Sequence, residues 1–453
     1  MKPHIVWFRR NLRLADNAAL IAAAEAGGPV IPVYVCDSDD AGGASRWWLH
    51  RSLEALDRSI RSRGSALVIR DGDPAQAIAE LVAETDAAAL YFARRYEPRQ
   101  RRIEDEIQGR LSGRVDIFGF DDSWLNPPTQ PLTRSGTPFK VFTPYWKAAC
   151  ARGEPPGPRP VPAALQLARE LPASLSLSRL ALLPSGPDWA QGLRDTWTPG
   201  EAAALDRLDA LEDVVAGYAD HRDRPDLQST TRLSPSLHFG EISVRQVWHA
   251  VRGIERRLQA SGGAESLLRQ LFWRDFSTYL LFHFPELPDR PLRGEFDDFP
   301  WVHDGELLHA WQRGLTGYPI VDAGMRQLWS TGWMHNRVRM IAASFLVKDL
   351  LVPWQQGANW FLDTLVDADL ANNSASWQWI AGCGTDAAPY FRIFNPVLQG
   401  RKFDPDGSYV RRWIPELDRD YPAPIVDHRE ARNRALAAYE TVRGIRASKQ
   451  APR

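Results

Sequence analysis

Short apolar runs alternate with amphipathic stretches along the first 120 residues of the chain. Five runs are rich in β-branched and aromatic residues: HIVWF at 4–8, VIPVYV at 30–35, ALVI at 66–69, ALYFA at 89–93 and VDIFGF at 115–120. They are almost continuously apolar, which is typical of parallel strands covered on both faces. The pattern predicts a doubly wound α/β domain with a parallel sheet over residues 1–125, and a ligand of such a domain would lie beyond the carboxyl ends of its strands.

Between these runs, apolar residues recur at helical spacing in four stretches, 16–26, 47–62, 74–84 and 98–111. Asp16 is the predicted N-cap of the first helix, and Gly27 and Gly28 end that helix. Pro98 suits the first turn of the fourth helix. Five arginines cluster nearby, at positions 94, 95, 99, 101 and 102. A solvated helix face is the simplest interpretation of that cluster, and contact with nucleic acid or with a second chromophore is the alternative.

Prolines separate this domain from the rest of the chain. Residues 121–200 hold 14 of the 34 prolines, including the run PPGPRPVP at 155–162, which is too many for regular helix or sheet. We therefore predict a Pro-rich linker over residues 126–200 that lies on the surface. Further along, apolar residues recur every three or four positions in the stretches 205–218, 244–258, 265–282 and 323–351, and a charged helix is predicted near 429–446. A mostly α-helical second domain over residues 201–453 follows.

Composition and charge narrow the functional classes. Of the 453 residues, 44% are hydrophobic and 25% are charged, as in an ordinary globular protein. Because 55 Lys and Arg residues nearly balance 56 Asp and Glu residues, binding to nucleic acid would require a local basic patch. No apolar run reaches the roughly 18 residues that span a bilayer, and the charged N-terminal segment does not resemble a signal peptide. We expect a cytoplasmic protein with no membrane span.

Neither the cysteines nor the common motifs for nucleotide or metal binding identify a functional site. Cys36, Cys150 and Cys383 are too few for a four-cysteine metal site, so we expect buried thiols and no metal. The chain has neither a Walker A sequence nor H-E-x-x-H. Gly382 to Ala387 fits the loose G-x-G-x-x-A pattern but lacks a preceding strand, so we expect an ordinary turn there.

Two polar segments interrupt the helical domain. The first offers three hydroxyls and a guanidinium to a phosphate or pyrophosphate just before a helix start, with Ser234 as the predicted N-cap; its residues are Thr230, Thr231, Arg232, Leu233 and Ser234. The second, residues 367–373, contains two carboxylates and two amides. Capped or solvated helix ends explain either segment alone. Together they favour a cofactor with a polar head group in an apolar pocket.

Tryptophan is unusually frequent, with 18 residues in the chain and eight of them between positions 301 and 379. Trp301, Trp354 and Trp377 stand in helical contexts where burial is expected. Core packing explains any one of them. The periodicity does not distinguish core packing from a functional use of the indole rings.

Long segments of the chain resemble the DNA photolyase/cryptochrome family, and most closely its bacterial cyclobutane pyrimidine dimer photolyases. The segments are WFRRNLRLADNAAL, YADHRDRPDLQSTTRLSPSLHFGEIS, LRQLFWRDF, TGYPIVDAGMRQLWSTGWMHNRVRM and DADLANNSASWQWIAGCGTDAAPYFRIFNPVLQG. The resemblance covers nearly the whole chain and is weaker in the linker. It implies an α/β antenna domain, a long linker, a helical domain that binds FAD, and light-dependent repair of UV-damaged DNA.

The resemblance also implies which residues hold FAD, which the family binds in a U-shaped conformation. The matching cofactor contacts are Tyr218, Thr230, Thr231, Arg232, Leu233 and Ser234. Arg339 and Asp367 match an ion pair beside the isoalloxazine ring, and Asp369 matches a further flavin contact. Asn373 matches the residue that faces flavin N5, where Asn rather than the Asp of plant cryptochromes favours the fully reduced, anionic flavin.

In this family, photoexcited reduced FAD passes an electron to a cyclobutane pyrimidine dimer that has left the duplex, the ring splits, and the electron returns. Trp301, Trp354 and Trp377 match a relay that carries electrons from the surface to the excited flavin, so they would govern photoreduction rather than repair. The positions that match DNA and lesion contacts are Arg222, Gln270, Trp273, Asn336, Met340, Trp379 and Gln399.

Gln270 departs from the family pattern, because many cyclobutane-dimer photolyases carry Glu there and (6-4) photolyases carry Gln. An amide cannot supply a proton, so we expect lower repair efficiency or a shifted lesion preference. The (6-4) enzymes carry His in the region of Asn336 and Met340, so the cyclobutane dimer is the expected lesion. A (6-4) photolyase is one alternative. A cryptochrome-like photoreceptor is another, and Asn373 and the short tail after Trp413 argue against it.

The resemblance leaves open a second, antenna chromophore, which in the family is a methenyl folate, a deazaflavin or a flavin. Residues 94–100 do not reproduce the Asn-Glu pair of one folate-binding group. The expected partner is UV-damaged DNA. No obligate protein partner is expected, and the protein is expected to be a monomer.

Overall fold

The computed structural model describes residues 1–37, 42–259, 261–386 and 391–450, with side chains described as far as residue 443. The N-terminal part contains one parallel sheet of five strands, β1 His4–Phe8, β2 Val30–Cys36, β3 Val68–Asp71, β4 Ala89–Ala93 and β5 Asp116–Phe120. Their order is β3-β2-β1-β4-β5, so the switch point lies between β1 and β4. Alternate residues of β1 enter two separate hydrophobic clusters, Val6 and Phe8 in one and Ile5 and Trp7 in the other. This confirms the predicted doubly wound α/β fold.

Four helices alternate with the strands, α1 Ala18–Ala26, α2 Gly43–Arg61, α3 Pro74–Thr85 and α4 Pro98–Leu111. Pro98 begins α4 as predicted. The predicted N-cap of α1 is wrong by one residue, because the side chain of Asn17 accepts the hydrogen bond from the backbone N–H of Leu20 at 3.1 Å. Asp16 has a left-handed φ of 49°, and its buried carboxylate pairs with Arg245 at 3.0 Å.

The proline-rich segment contains two helices, α5 Phe142–Cys150 and α6 Gln191–Thr196. The expectation that its prolines exclude helix is therefore wrong at these places. Pro144 lies in the first turn of α5, where a helix tolerates proline because the N–H would be unpaired there. Phe142 and Tyr145 are buried in a core shared with the helical domain. This part of the segment is therefore packed into that domain rather than lying on the surface.

The rest of the chain is mostly helical, as predicted. Its helices are α7 Glu201–Asp209, α8 Glu212–His221, α9 Ser234–Phe239, α10 Val244–Leu258, α11 Ser261–His283, α12 Gly305–Arg313, α13 Pro319–Thr331, α14 Asn336–Ser344, α15 Trp354–Thr364, α16 Leu370–Ala381, α17 Pro396–Phe403, α18 Ser408–Trp413 and α19 His428–Gln450. The stretch 323–351 is broken at Gly332, which ends α13 with a φ of 65°. Within the described ranges, no helix is both long enough and apolar enough to cross a lipid bilayer.

Buried polar contacts join the two domains. The indole Nε1 of Trp48 on α2 donates to the carboxylate of Glu241 at 2.9 Å, and Arg13 donates to the carbonyl of Gly240 at 3.0 Å. All of these groups are buried. Because a buried polar group without a partner costs free energy, the contacts favour one relative orientation of the domains. They hold α2 and the loop that follows β1 against the residues just after α9.

One smaller expectation is partly wrong and another is met by the described residues. Cys36 and Cys383 are buried, but Cys150 at the end of α5 is exposed. The expectation of buried thiols therefore fails for Cys150. Gly382 ends α16 with a left-handed φ of 88°, which agrees with the turn expected there, although Ala387 of the same motif lies outside the described residues.

The arginine cluster after β4 is not simply a solvated helix face. Arg95 pairs with Glu97 at 2.7 Å, and Arg99 pairs with Asp37. Arg94, Arg101 and Arg102 are exposed, as expected of a solvated face. The interpretation as a solvated face is therefore wrong for Arg95 and Arg99, whose ion pairs fix the loop between β4 and α4.

Candidate active site

The segment between α8 and α9 forms a tight loop. Arg232 has a left-handed φ of 50°, and the Thr231 hydroxyl accepts a hydrogen bond from the backbone N–H of Leu233 at 3.3 Å. α9 begins at Ser234, while Leu233 occupies the N-cap position without a side-chain cap. The predicted N-cap role of Ser234 is therefore wrong by one residue. The hydroxyls of Thr230 and Ser234 make no hydrogen bond within the described ranges, so both are available to a ligand.

The environment of Arg232 tests whether an anionic group fits this loop. Its guanidinium carbon lies 5.0 Å from the ring centroid of Trp333 and 6.0 Å from that of Trp197. No carboxylate among the described residues pairs with it. Burial, together with the charges of Arg207 and Arg412, lowers the pKa of Arg232. A desolvated guanidinium without a counter-ion, beside free hydroxyls, fits a phosphate or pyrophosphate group.

Tyr218 lies on α8, the helix that precedes this loop. Its side chain is buried, and the guanidinium of Arg222 lies 5.5 Å from the centroid of its ring. The two predicted residues, one assigned to the cofactor and one to DNA, are therefore in contact. The contact places the predicted cofactor and DNA groups next to each other along α8.

A paired guanidinium and carboxylate connect α14 to the segment before α16. Nη2 of Arg339 donates to both carboxylate oxygens of Asp367, at 3.1 and 3.0 Å, and its Nε donates to the carbonyl of Met334 at 2.8 Å. The Asp367 side chain is only 5% exposed, whereas that of Arg339 is 23% exposed. The pair predicted from the resemblance is therefore formed, and its buried carboxylate depends on this one guanidinium.

Asp369 caps the N-terminus of α16 and is held from two sides. Its carboxylate accepts from the backbone N–H of Asn372 at 2.9 Å. It also lies 3.5 Å from Arg10 of the loop after β1 and 3.5 Å from His238 of α9. Burial raises the pKa of Asp369, but the hydrogen bond from His238 and the charge of Arg10 lower it more, so the group stays ionised. Burial and Arg10 lower the pKa of His238 to about 4, so this imidazole is neutral at pH 7.

Asn373 and Trp377 follow on the same helix. The Asn373 amide donates to the carbonyl of Ala358 on α15 at 3.0 Å. The Trp377 ring is 2% exposed and packs so closely on α15 that a Cβ added at Gly357 would lie 2.2 Å from it. This glycine is therefore required for the close approach of the two helices. The ring of Phe361 meets that of Trp377 edge-on at 5.1 Å.

The three tryptophans of the predicted relay share one hydrophobic core. Trp354 begins α15 and is 2% exposed. Trp301 is half-buried in an irregular segment, so its predicted helical context is wrong. Its ring lies 4.3 Å from that of Phe299. None of these three described rings stacks directly on another of the three.

The predicted DNA contacts begin with Arg222 and Gln270. Nη2 of Arg222 donates to the side-chain oxygen of Gln270 at 3.2 Å, and the Gln270 amide donates to the carbonyl of Ser266 at 2.9 Å. Both side chains are half-buried. The two residues, 48 positions apart in sequence, thus form one hydrogen-bonded unit.

The remaining predicted lesion contacts lie on four helices. The Asn336 amide and the Met340 sulfur lie 3.8 Å apart, one turn apart on α14. Trp379 on α16 donates from Nε1 to the carbonyl of Asp386 at 3.0 Å. Gln399 is half-buried on α17. Trp273 on α11 stacks on the ring of Phe142, with centroids 3.6 Å apart.

Sequence reasoning did not find three residues of this region. Phe142 comes from the predicted linker, Arg10 from the α/β domain, and His238 from the end of α9. Each is brought in by tertiary contacts over more than 100 residues, as with Arg10 and Asp369. No local pattern marks such contacts. Within the described part of the chain, no group of three or more His, Cys, Asp or Glu side chains could hold a metal ion.

Comparisons with known proteins agree with this organisation. Residues 4–164 match the family described as DNA photolyase, and residues 267–419 match the family described as the FAD binding domain of DNA photolyase. The chain is 47% identical to the deoxyribodipyrimidine photo-lyase of Agrobacterium fabrum, over 97% of this chain and 98% of that protein. Cryptochrome-1 of Arabidopsis thaliana is 37% identical over 94% of this chain and 64% of its own length.

A solved structure is similar along nearly the whole chain. It is a bacterial class III photolyase from Agrobacterium tumefaciens, with a TM-score of 0.94 and 47% identity, and the match covers 98% of both chains. The fold agrees with both family matches and with the 47% identical relative. The chain belongs to the DNA photolyase/cryptochrome family.

Proposed function

We propose that the protein is a deoxyribodipyrimidine photo-lyase, which uses light to split a flipped-out cyclobutane pyrimidine dimer in UV-damaged DNA. One observation carries the proposal. The hydrogen-bonded unit of Arg222 and Gln270 touches Tyr218, so the groups assigned to DNA and to the cofactor adjoin in one chain. This chain is similar over 97% of its length to a protein with that activity in its name.

FAD is the proposed cofactor, and when bound it supplies the electron donor that light excites. The hydroxyls of Thr230, Thr231 and Ser234 and the guanidinium of Arg232 would bind its pyrophosphate, because Arg232 pairs with no carboxylate among the described residues and all three hydroxyls can donate. Tyr218 and Leu233 would line the same part of the site. These assignments are supported by the loop geometry and by the desolvated Arg232.

The flavin ring is assigned to the region of α14 and α16. Arg339 would lie beside the ring, with its orientation fixed by Asp367 and by the Met334 carbonyl. Asp369 would add a further contact while capping α16. Asn373 is assigned to the position beside flavin N5, where its amide favours the fully reduced, anionic flavin because it carries no acidic proton.

The lesion is assigned to the groups on the DNA side. Trp273 and Trp379 would provide flat apolar walls for the extruded dimer, since a damaged, poorly stacked pair costs less to extrude than normal bases. Gln270, Asn336 and Met340 would contact its edges. Arg222 and Gln399 would contact the DNA strand. Trp301, Trp354 and Trp377 would carry electrons to the flavin during photoreduction, before repair begins.

Two competing functions stay within the family. The amide of Gln270 favours a (6-4) photolyase. Asn336 and Met340 argue against it, because the (6-4) enzymes carry His in this region. A blue-light photoreceptor is favoured by the similarity to Cryptochrome-1, and Asn373 argues against it. We infer repair of the cyclobutane dimer because both pocket positions on α14 and the residue assigned to N5 agree with it.

The deciding experiment is repair by the reduced holoprotein under blue light. Two oligonucleotides of identical sequence would carry either a cyclobutane thymine dimer or a (6-4) photoproduct, with dark samples as controls. Loss of only the cyclobutane dimer is expected. Loss of only the (6-4) lesion would establish the first alternative. No loss of either lesion, with FAD bound and photoreducible, would refute repair and favour the photoreceptor.

We also infer that the protein acts as a monomer in the cytoplasm. Every proposed contact comes from one chain, so the site needs no second copy. Cys36, Cys150 and Cys383 are free thiols, which suits a reducing compartment. Sedimentation of the holoprotein with and without damaged DNA would test the oligomeric state. A dimer that binds one duplex would contradict this part of the proposal.

A further inference from the structure

Phe142, at the start of α5 in the proline-rich segment, contacts one of the proposed walls of the lesion pocket. Its ring lies face to face with that of Trp273, with centroids 3.6 Å apart and planes inclined by 6°. The orientation of this wall is therefore set in part by a residue of the proline-rich segment.

The stack fixes the plane of Trp273 and leaves one of its faces without an aromatic neighbour. Phe142 is 1% exposed, whereas Trp273 is half-buried. Within the described ranges, the other ring near Trp273 is that of Phe276, which meets it edge-on at 6.0 Å and 71°. Extruded bases stack on flat aromatic surfaces. The plane that Phe142 imposes is therefore the plane on which an extruded pyrimidine would rest.

Arg269 on α11 supports the same arrangement. Its guanidinium carbon lies 4.6 Å from the ring centroid of Trp146 and 5.4 Å from that of Phe142, so it contacts two residues of α5. Arg269 therefore connects α11, which carries Trp273, to α5, which carries Phe142.

We propose that Phe142 is a positioning residue for damage discrimination, which holds Trp273 in the orientation that accepts an extruded pyrimidine dimer. The inference rests on the proposed function. Preformed walls reduce the entropy lost on ordering the pocket, whereas contacts to phosphates are the same for damaged and undamaged DNA. The role of Phe142 should therefore appear in the ratio of the two affinities.

The test replaces the Phe142 ring without removing bulk. Phe142→Leu and Phe142→Met both abolish the stack, and the flexible Met side chain fills irregular space where Leu does not. Tyr145→Met is the matched control. Tyr145 lies on the same helix as Phe142. Its buried ring contacts the rings of Phe276 and Tyr279 but not that of Trp273. For each holoprotein, FAD content, thermal stability and binding to one duplex with and without a single cyclobutane thymine dimer would be measured.

We expect both Phe142 variants to lose roughly three- to tenfold of their preference for the damaged duplex, the effect of one aromatic stack. FAD content and affinity for the undamaged duplex should be unchanged. Tyr145→Met should melt at a lower temperature and keep the wild-type preference. If Phe142→Leu does not fold, Phe142→Met decides. An unchanged preference in Phe142→Met, or an equal loss in Tyr145→Met, would overturn the inference. A wild-type protein without preference for the dimer would instead refute the proposed function.

Discussion

The guanidinium of Arg222 donates to the side-chain oxygen of Gln270 at 3.2 Å, and this contact orients the amide. The amide nitrogen then faces the carbonyl of Ser266, to which it donates at 2.9 Å. Position 270 thus keeps a polar group beside a cation in the proposed lesion pocket. A carboxylate there would add a second charge to this contact, whose Arg222 donor is already charged, and turn it into an ion pair.

Gln270→Glu should therefore raise the repair of the cyclobutane dimer per absorbed photon, on the order of two- to tenfold. When protonated, the carboxyl group could instead supply a proton to the lesion, which neither the amide nor the ion-paired carboxylate can. The measurement is repair by reduced holoprotein at saturating substrate under calibrated blue light. Gln270→Leu is the control and should repair less than wild type. The prediction is wrong if Glu and Gln give equal yields.

Arg339→Gln should reduce FAD affinity by about tenfold or more, because it leaves the nearly buried Asp367 carboxylate without its cation. The ratio of flavin to protein absorbance after purification, and titration of the apoprotein with FAD, would measure the loss. Arg337→Gln is the control on the same helix, since Arg337 pairs with Asp223, whose side chain is 33% exposed. Equal FAD losses in the two variants would argue against a specific role of Arg339.

Trp377→Phe should block photoreduction of oxidised FAD but leave repair by chemically reduced protein largely intact. Phe retains most of the packing against Phe361 while removing the readily oxidised indole. Flavin absorbance during illumination reports the first process, and dimer loss in prereduced samples reports the second. Trp311→Phe is the control, because its buried ring also contacts Trp377 but is not assigned to the relay. Parallel loss of both activities in Trp377→Phe would contradict the assignment.

DNA binding should weaken linearly on a plot of log affinity against log salt concentration, since each neutralised phosphate releases counter-ions. Arg222→Gln should reduce the slope by about one phosphate contact. Arg110→Gln should leave it unchanged, because Arg110 pairs with Glu106 on the exposed surface of α4. Filter binding or anisotropy at four salt concentrations is sufficient. A slope near zero for the wild type would refute binding through phosphates.

The stability of the fold should depend on pH through Asp275. Burial raises the pKa of its carboxyl to about 7, although the backbone N–H of Asn126 donates to it at 2.9 Å. In the unfolded chain the group titrates near pH 4. Between these values the folded state binds more protons, so the free energy of unfolding decreases by about 1.4 kcal/mol per pH unit as pH rises. The contribution is complete below about pH 4 and lost above about pH 7.

Urea unfolding of wild type and Asp275→Asn at pH 5, 6 and 7 would test this dependence. With each rise of one pH unit, the free energy of unfolding of wild type should fall relative to that of Asp275→Asn, because Asn does not titrate. A difference that is constant across the three pH values would show that Asp275 ionises normally in the folded state.

The sequence was sufficient for features that local patterns specify. The five strands are nearly continuous apolar runs, and α10 lies where its apolar spacing predicts it. Errors arose where tertiary contacts outweigh local preference. Asp16 forms a buried ion pair with Arg245 and leaves the cap to Asn17, and α5 forms despite the prolines because Phe142 and Tyr145 gain a core. The site assignments came from motif resemblance, in which Phe142 lies outside the matching segments and Arg10 lies inside one without an assigned role.

Asp369 has a consequence for exchanging domains between relatives. This residue caps the helix that carries Asn373 and Trp377, yet part of its charge compensation comes from Arg10, more than 350 residues earlier in the other domain. A helical domain expressed alone would lose this part of the charge compensation at the start of that helix. Chimaeras that replace the N-terminal domain therefore need an arginine at the position of Arg10. The boundary at which the chain can be cut is set by this ion pair as well as by the proline-rich segment.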